Sequence, residues 1–166
     1  NYIPFVDYFT GSQFSNPYEW FLNKGVSFPF PALMLYIVAA SKLFFGFFVQ
    51  NDLFTLRIPV LLADITIFLV LIRWIRDKQT KVLWYYWCSP ILFAISYVAG
   101  FLDIIPIAFL FAFLYFLFRE KYLFAFVLLG LALAAKTGLV ILLPFIFVYL
   151  IKEYEHPLRA LEYILL

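Results

Sequence analysis

Between Ala32 and Ile151 the sequence is a near-continuous succession of apolar stretches: Ala32 to Val49, Ile58 to Ile75, Val82 to Ala99, Ile104 to Phe118, Tyr122 to Ala135 and Leu139 to Ile151. A surface helix of a water-soluble domain keeps one polar face, and these stretches leave none. Hydrophobic residues make up 66% of the chain and charged residues 13%, with a mean hydropathy of +0.99, where soluble domains carry roughly a quarter charged residues. The reading is an integral membrane protein, all-α, a polytopic transmembrane helical bundle in a plasma membrane or endoplasmic-reticulum-like membrane. In 166 residues there is room for one compact unit, and the chain starts at Asn1 and stops in Leu161 to Leu166 as a segment of a longer polypeptide would.

Several function classes drop out on composition. A net charge of +2, scattered along the chain, suits no nucleic-acid partner. The single Cys88 and single His156 make no disulfide framework, no CxxC pair and no metal-ligand cluster. Neither GxSxG nor HExxH occurs, nor a phosphate-cradling glycine loop, so any chemistry rests on carboxylates.

Basic residues orient membrane proteins because loops rich in Lys and Arg stay on the cytoplasmic side. Arg73, Arg76, Lys78 and Lys81 are two apolar stretches away from Arg119 and Lys121, and Lys152 and Arg159 lie another two along. All three groups then share the inner side, which puts the loops at Gln50 to Leu56, Ala99 to Asp103 and Lys136 to Gly138 outside. Lys42 sits in the body of the first stretch, where a span would carry a cost of about 2.5 to 3.5 kcal/mol. That stretch is therefore expected to be an interfacial or re-entrant helix. Residues 1–56 form an external loop with that helix, and residues 57–166 a bundle of about five spans. The competing reading is a sixth span with Lys42 snorkelling.

Ionisable groups at membrane depth need a reason. Asp64 follows Arg57 by two helical turns and suits a hydrogen bond that glues helices. Asp103, between Gly100 and Pro106, is placed either to cap a helix or to face a ligand at the outer surface. Lys136, between Gly130-Leu-Ala-Leu-Ala-Ala and Thr137-Gly138, marks a break between short helices where a cation could meet a lipid phosphate; the alternative is a snorkelling lysine that ends a helix. In the opening loop, Asp7 and Glu19 stand among Tyr2, Tyr8, Tyr18 and Trp20, a mixture suited to sugars or to anchoring at the membrane interface.

The order of four blocks carries a resemblance. Residues Gly11 to Tyr36, GSQFSNPYEWFLNKGVSFPFPALMLY, resemble the first external loop of GT-C type membrane glycosyltransferases, with an NPY turn followed by an aromatic-proline stretch. Arg57-Ile-Pro-Val-Leu-Leu-Ala-Asp64 looks like the family's R-[LI]-P-x-L-x-x-D motif. Ser89-Pro90 with Gly100-Phe-Leu-Asp103-Ile-Ile-Pro106 resembles its SP and HGQxD-x-x-P segment. Gly130-Leu-Ala-Leu-Ala-Ala-Lys136 with Leu143-Pro144 resembles GLAxxxK and LP. Ala99 and Phe101 depart from the His and Gln of the third block, and Thr137 replaces a frequent Pro.

The resemblance implies the N-terminal half to two-thirds of a mannosyltransferase-like enzyme. It would move a sugar from a polyprenyl-phosphate donor to a lipid, glycan or protein acceptor on the external or luminal face. The catalytic base would be Asp7 or an aspartate just upstream of Asn1. Lys136 and Arg57 would meet the donor phosphate, Asp103 would orient an acceptor or a divalent cation, and Tyr18 of the NPY turn would contact substrate. Membrane lipids, and membrane-protein partners, are the other expected associations. Two alternatives stand beside this reading: a non-catalytic subunit or scaffold with the same fold, and a transporter of a lipid-linked solute with charges along its path.

Overall fold

Aromatic rings organise the first thirty residues. The computed structural model describes residues 2–22, 24–25, 28–49 and 51–153, and His156 and Arg159 lie outside the described residues. α1 (Ile3–Gly11) is followed by α2 (Pro17–Phe21), whose start is set by Asn16: its side chain accepts the Tyr18 amide at 3.0 Å, with Pro17 in the first helical position. Phe5 packs between the rings of Tyr18, Phe21 and Phe28, so α1, α2 and the extended Phe28 to Pro31 close on one another. Every described element is helical, and no strand occurs among the described residues.

α3 (Ala32–Phe45) leads to α4 (Asp52–Trp74). The loop expected at Gln50 to Leu56 is mostly helix, and the expected division between residues 56 and 57 falls inside α4. The cause is Asn51, whose side chain accepts the amides of Leu53 at 3.0 Å and Phe54 at 3.4 Å and starts the helix early. Pro59 lies within α4 and has no N–H to offer the carbonyl four residues back. That carbonyl, on Thr55, instead accepts the hydroxyl of Ser41 at 2.6 Å, which fastens α3 to α4 at the proline.

At 1.5 Å per residue α4 is about 35 Å long, more than the roughly 30 Å of a bilayer's hydrocarbon core. It is the one helix among the described residues long and apolar enough to cross a membrane. A second candidate arises if α5 (Arg76–Trp87) and α6 (Pro90–Ala99), bent by 43° at their junction, count as one span. The stretch Val82 to Ala99 is thus broken rather than continuous. Pro90 cannot continue a helix, and Ser89 caps the new one by accepting the Leu92 amide at 3.5 Å. π-helical turns at Leu83–Trp87 and Ala94–Ala99 widen both halves. α7 (Ile104–Leu117), α8 (Tyr122–Ala135), a 3₁₀ stretch at Thr137–Leu142 and α9 (Leu143–Glu153) follow. These elements and α3 are apolar but shorter than a full span, so by length and composition one or two of the five expected crossings qualify.

Contacts fix how the helices run. Trp74, at the end of α4, meets Phe111 and Phe118, and Arg57, near its start, lies against Gly100 just before α7, so α4 and α7 are parallel. α8 returns to place Lys136 beside Asp103, and Tyr149 of α9 comes back to Phe118. α4, the α5–α6 pair, α7, α8 and α9 therefore traverse the bundle alternately. The buried cores follow this order: one joins α1, α3, α4 and the start of α7, and a second joins α7, α8 and α9.

Candidate functional site

The alternation collects Asp7, Lys42, Asp52, Arg57, Asp103 and Lys136 at the end of the bundle where α4 begins. Arg73, Arg76, Lys78, Lys81, Arg119, Lys121 and Lys152 fall at the other end. At the first end, Lys42 of α3 donates to the carboxylate of Asp7 on α1 and lies 2.9 Å from Asp52 at the start of α4. One ammonium thus ties three helices. Burial alone would lower the pKa of Lys42, but its hydrogen bonds to Asp7 and Asp52 outweigh that and hold it above the ordinary lysine value. The Asp7 side chain is 45% exposed, so its carboxylate is open to an incoming ligand while Lys42 fixes its position.

One and a half turns into α4, Arg57 is half-buried and donates to the backbone oxygen of Ser96 at 3.0 Å. No carboxylate pairs with it among the described residues, so four of its five N–H groups are uncommitted. Gly100, at φ +83°, lies against the guanidinium: a Cβ there would come within 2.8 Å of both terminal nitrogens. The left-handed turn needs glycine for its dihedral and again for this close approach.

Asp103 and Lys136, assigned separately from sequence, form an ion pair at 2.5 Å. Asp103 precedes α7 without capping it by its side chain. Lys136 occupies the expected break, extended at φ −149° and ψ 104° between α8 and the 3₁₀ stretch. Among the described residues Lys42 and Lys136 each have a carboxylate partner, and Arg57 has none. Asp103 also borders a cavity of about 370 Å³ with Ser96 and Tyr86 as its other polar walls and Ile67, Phe101 and Phe111 among its apolar ones.

Two further expectations resolve locally. Tyr18 turns into the fold: its hydroxyl donates to the carbonyl of Phe30 at 2.8 Å, and burial, with Tyr36 adding to it, pushes its pKa up. Asp64 accepts hydrogen bonds from Tyr86 at 2.6 Å and Tyr97 at 3.0 Å, one tyrosine from each half of the bent pair, which is the structural glue expected of it. A divalent cation does not fit Asp103. One oxygen of its carboxylate is taken by Lys136, and no group of three His, Cys, Asp or Glu gathers among the described residues; no step below uses one.

The residues that sequence reasoning passed over are Lys42, Asp52 and Gly100. Lys42 was visible as a misplaced charge, and two carboxylates an external helix could reach were the available signal. Compared with models of protein families, with curated proteins and with solved structures, the chain matches none.

Proposed function

We propose that this chain is part of a membrane glycosyltransferase of the GT-C type. It would move a sugar from a polyprenyl-phosphate donor to a lipid, glycan or protein acceptor at the membrane face where Asp7, Arg57 and Asp103 gather. The observation that carries the reading is the presence of an anchored, open carboxylate and, separately, a guanidinium with no carboxylate partner among the described residues at one end of an apolar bundle. Lys42 holds Asp7, and Arg57, against Gly100, has no carboxylate partner among the described residues. Inverting transfer needs a base for the acceptor hydroxyl and a cation for the leaving phosphate.

In the reaction Asp7 takes the proton of the acceptor hydroxyl as its oxygen bonds to the anomeric carbon. The bond from that carbon to the phosphate oxygen breaks, and its electron pair leaves on polyprenyl phosphate. Arg57 balances the charge that builds on that phosphate, and the Asp103–Lys136 pair fixes the adjoining loop before α7. The five traverses are membrane crossings in this proposal, with α3 lying at the interface and the basic end of the bundle in the cytoplasm, as the positive-inside tendency favours.

The test uses membranes containing the full-length protein and a radiolabelled polyprenyl-phosphate sugar. Wild type transfers label, Asp7→Asn binds donor and transfers at least about a hundredfold more slowly, the low end of a general base's contribution, and Arg57→Gln binds donor more weakly. Transfer by Asp7→Asn at the wild-type rate removes Asp7 as the base. A second reading, a scaffold subunit that keeps the fold without chemistry, draws on Ala99 and Phe101 and on the neutralised Lys136. It predicts donor binding by wild type with no transfer at all.

A further inference from the structure

Beside the charged end, α1 and α2 enclose a second polar recess of about 510 Å³, lined by Tyr8, Ser15, Asn16, Glu19, Trp20 and Lys24. Its floor is an aromatic pair: Tyr8 and Trp20 stack with ring centroids 4.9 Å apart and planes 14° from parallel. Stacking holds the indole rigid, yet Trp20 remains 49% exposed. The Lys24 ammonium lies 3.6 Å over the indole ring, a flexible cover on a four-carbon stem.

The lining of the recess supplies both donors and acceptors. The Asn16 carbonyl is committed to the Tyr18 amide, which leaves its NH₂ to donate. Ser15 donates its hydroxyl to the Ser12 carbonyl, which leaves its oxygen to accept. Glu19 offers an exposed carboxylate with no side-chain partner among the described residues, and Lys24 offers three N–H donors. A pyranose presents an apolar C–H face to an aromatic ring and a rim of hydroxyls that each donate and accept. An ammonium headgroup would instead require acceptors alone and would be repelled by Lys24.

We infer that the Tyr8–Trp20 recess binds a neutral pyranose, the sugar seating on the indole as Lys24 swings from the ring to a hydroxyl, with Glu19 and Asn16 reading the rim. This goes beyond the proposed transfer reaction and holds whether or not Asp7 is a base.

Saturation-transfer NMR on the full-length protein in lipid nanodiscs, with methyl β-glucopyranoside and methyl α-mannopyranoside as probes, tests it. Wild type transfers saturation to the ring C–H protons of at least one pyranoside. Trp20→Ala weakens that binding about tenfold, the loss expected for one aromatic stacking partner. Trp20→Phe retains most of it, which separates loss of the platform from loss of the fold. Asp7→Asn gives the wild-type signal even where sugar transfer is abolished, so the outcome is read independently of the proposed activity. Absence of signal with both pyranosides in wild type overturns the inference, as does an equal signal from Trp20→Ala. The first result is also what a Trp20 serving only as an interfacial anchor would give.

Discussion

Arg57 and Gly100 are far apart in sequence and meet in space near the start of α4. Gly100→Ala introduces a methyl within 2.8 Å of both guanidinium nitrogens at a φ of +83°. The backbone strain costs about 1 to 3 kcal/mol, and the side chain of Arg57 must move. Donor binding by Gly100→Ala is therefore expected to fall as it does for Arg57→Gln, and the double variant to be no weaker than Arg57→Gln alone. Additive losses in titrations with a polyprenyl-phosphate sugar would show that the two residues act separately. Lys42 supplies a prediction with a sign. Its pKa is raised in the folded state, so its stabilising contribution is complete below the ordinary lysine pKa and disappears as pH climbs through the raised folded value. Melting temperature of the wild type should fall across that alkaline window, and Lys42→Met should lack this part of the fall while melting lower at neutral pH. The neutral-pH cost is about 1 kcal/mol or less, because the Asp7 and Asp52 partners are half-exposed. Identical alkaline profiles for the two proteins would rule the ion pairs out as its cause.

Helices in this chain are joined by single polar contacts placed where a backbone rule is broken. Pro59 frees the Thr55 carbonyl and Ser41 takes it; Pro90 breaks the second traverse, the α5–α6 pair, and Tyr86 and Tyr97 tie its two halves back to Asp64. Tyr86→Phe and Tyr97→Phe should each lower stability by about 0.5 to 1.5 kcal/mol, the usual net value of one such bond. Asp64→Ala, which strands both hydroxyls, should cost more than either. Thermal unfolding in detergent measures this, and a smaller loss for Asp64→Ala than for Tyr86→Phe would contradict the shared anchor. At this scale the end of α8 and the break at Lys136 were legible, because Gly138 and a charge in an apolar run can be read directly. Asn51 as the start of α4 was missed, since the apolar pattern begins only at Ile58 and a cap acts through two amides rather than through hydrophobicity. The bend at Pro90 was hidden for the opposite reason: both halves are apolar, so composition runs smoothly across a backbone discontinuity.

For the molecule as a whole, charge distribution and helix direction give the same division into two ends by independent routes. The basic residues from Arg73 to Lys81, Arg119, Lys121 and Lys152 were grouped from sequence spacing alone. The ring contacts of Trp74, Phe118 and Tyr149 and the Lys136–Asp103 pair group the same residues by geometry. What spacing could not supply was which acid meets which base, because residues 7 and 42, or 103 and 136, become neighbours only after helices fold back. Length leaves one question open to experiment: α7 and α8, at 14 residues each, rise about 21 Å, well short of a bilayer's hydrocarbon core. If the five traverses cross nonetheless, the bilayer thins or the flanking aromatics and lysines extend the span, and the two ends face opposite compartments. Cys88 is exposed, so the background is Cys88→Ser, onto which Ser15→Cys, Lys121→Cys and Thr137→Cys are placed singly at exposed positions. In sealed right-side-out vesicles a membrane-impermeant maleimide should label the variants at 15 and 137 without permeabilisation, and the variant at 121 only after it. Labelling of 15 and 137 from opposite sides would separate Asp7 from Asp103 by a bilayer, and no lipid-borne phosphate at Arg57 could then be served by both. Labelling of all three from one side would instead leave between residues 15 and 137 either no crossing or the two by α4 and the bent α5–α6 pair.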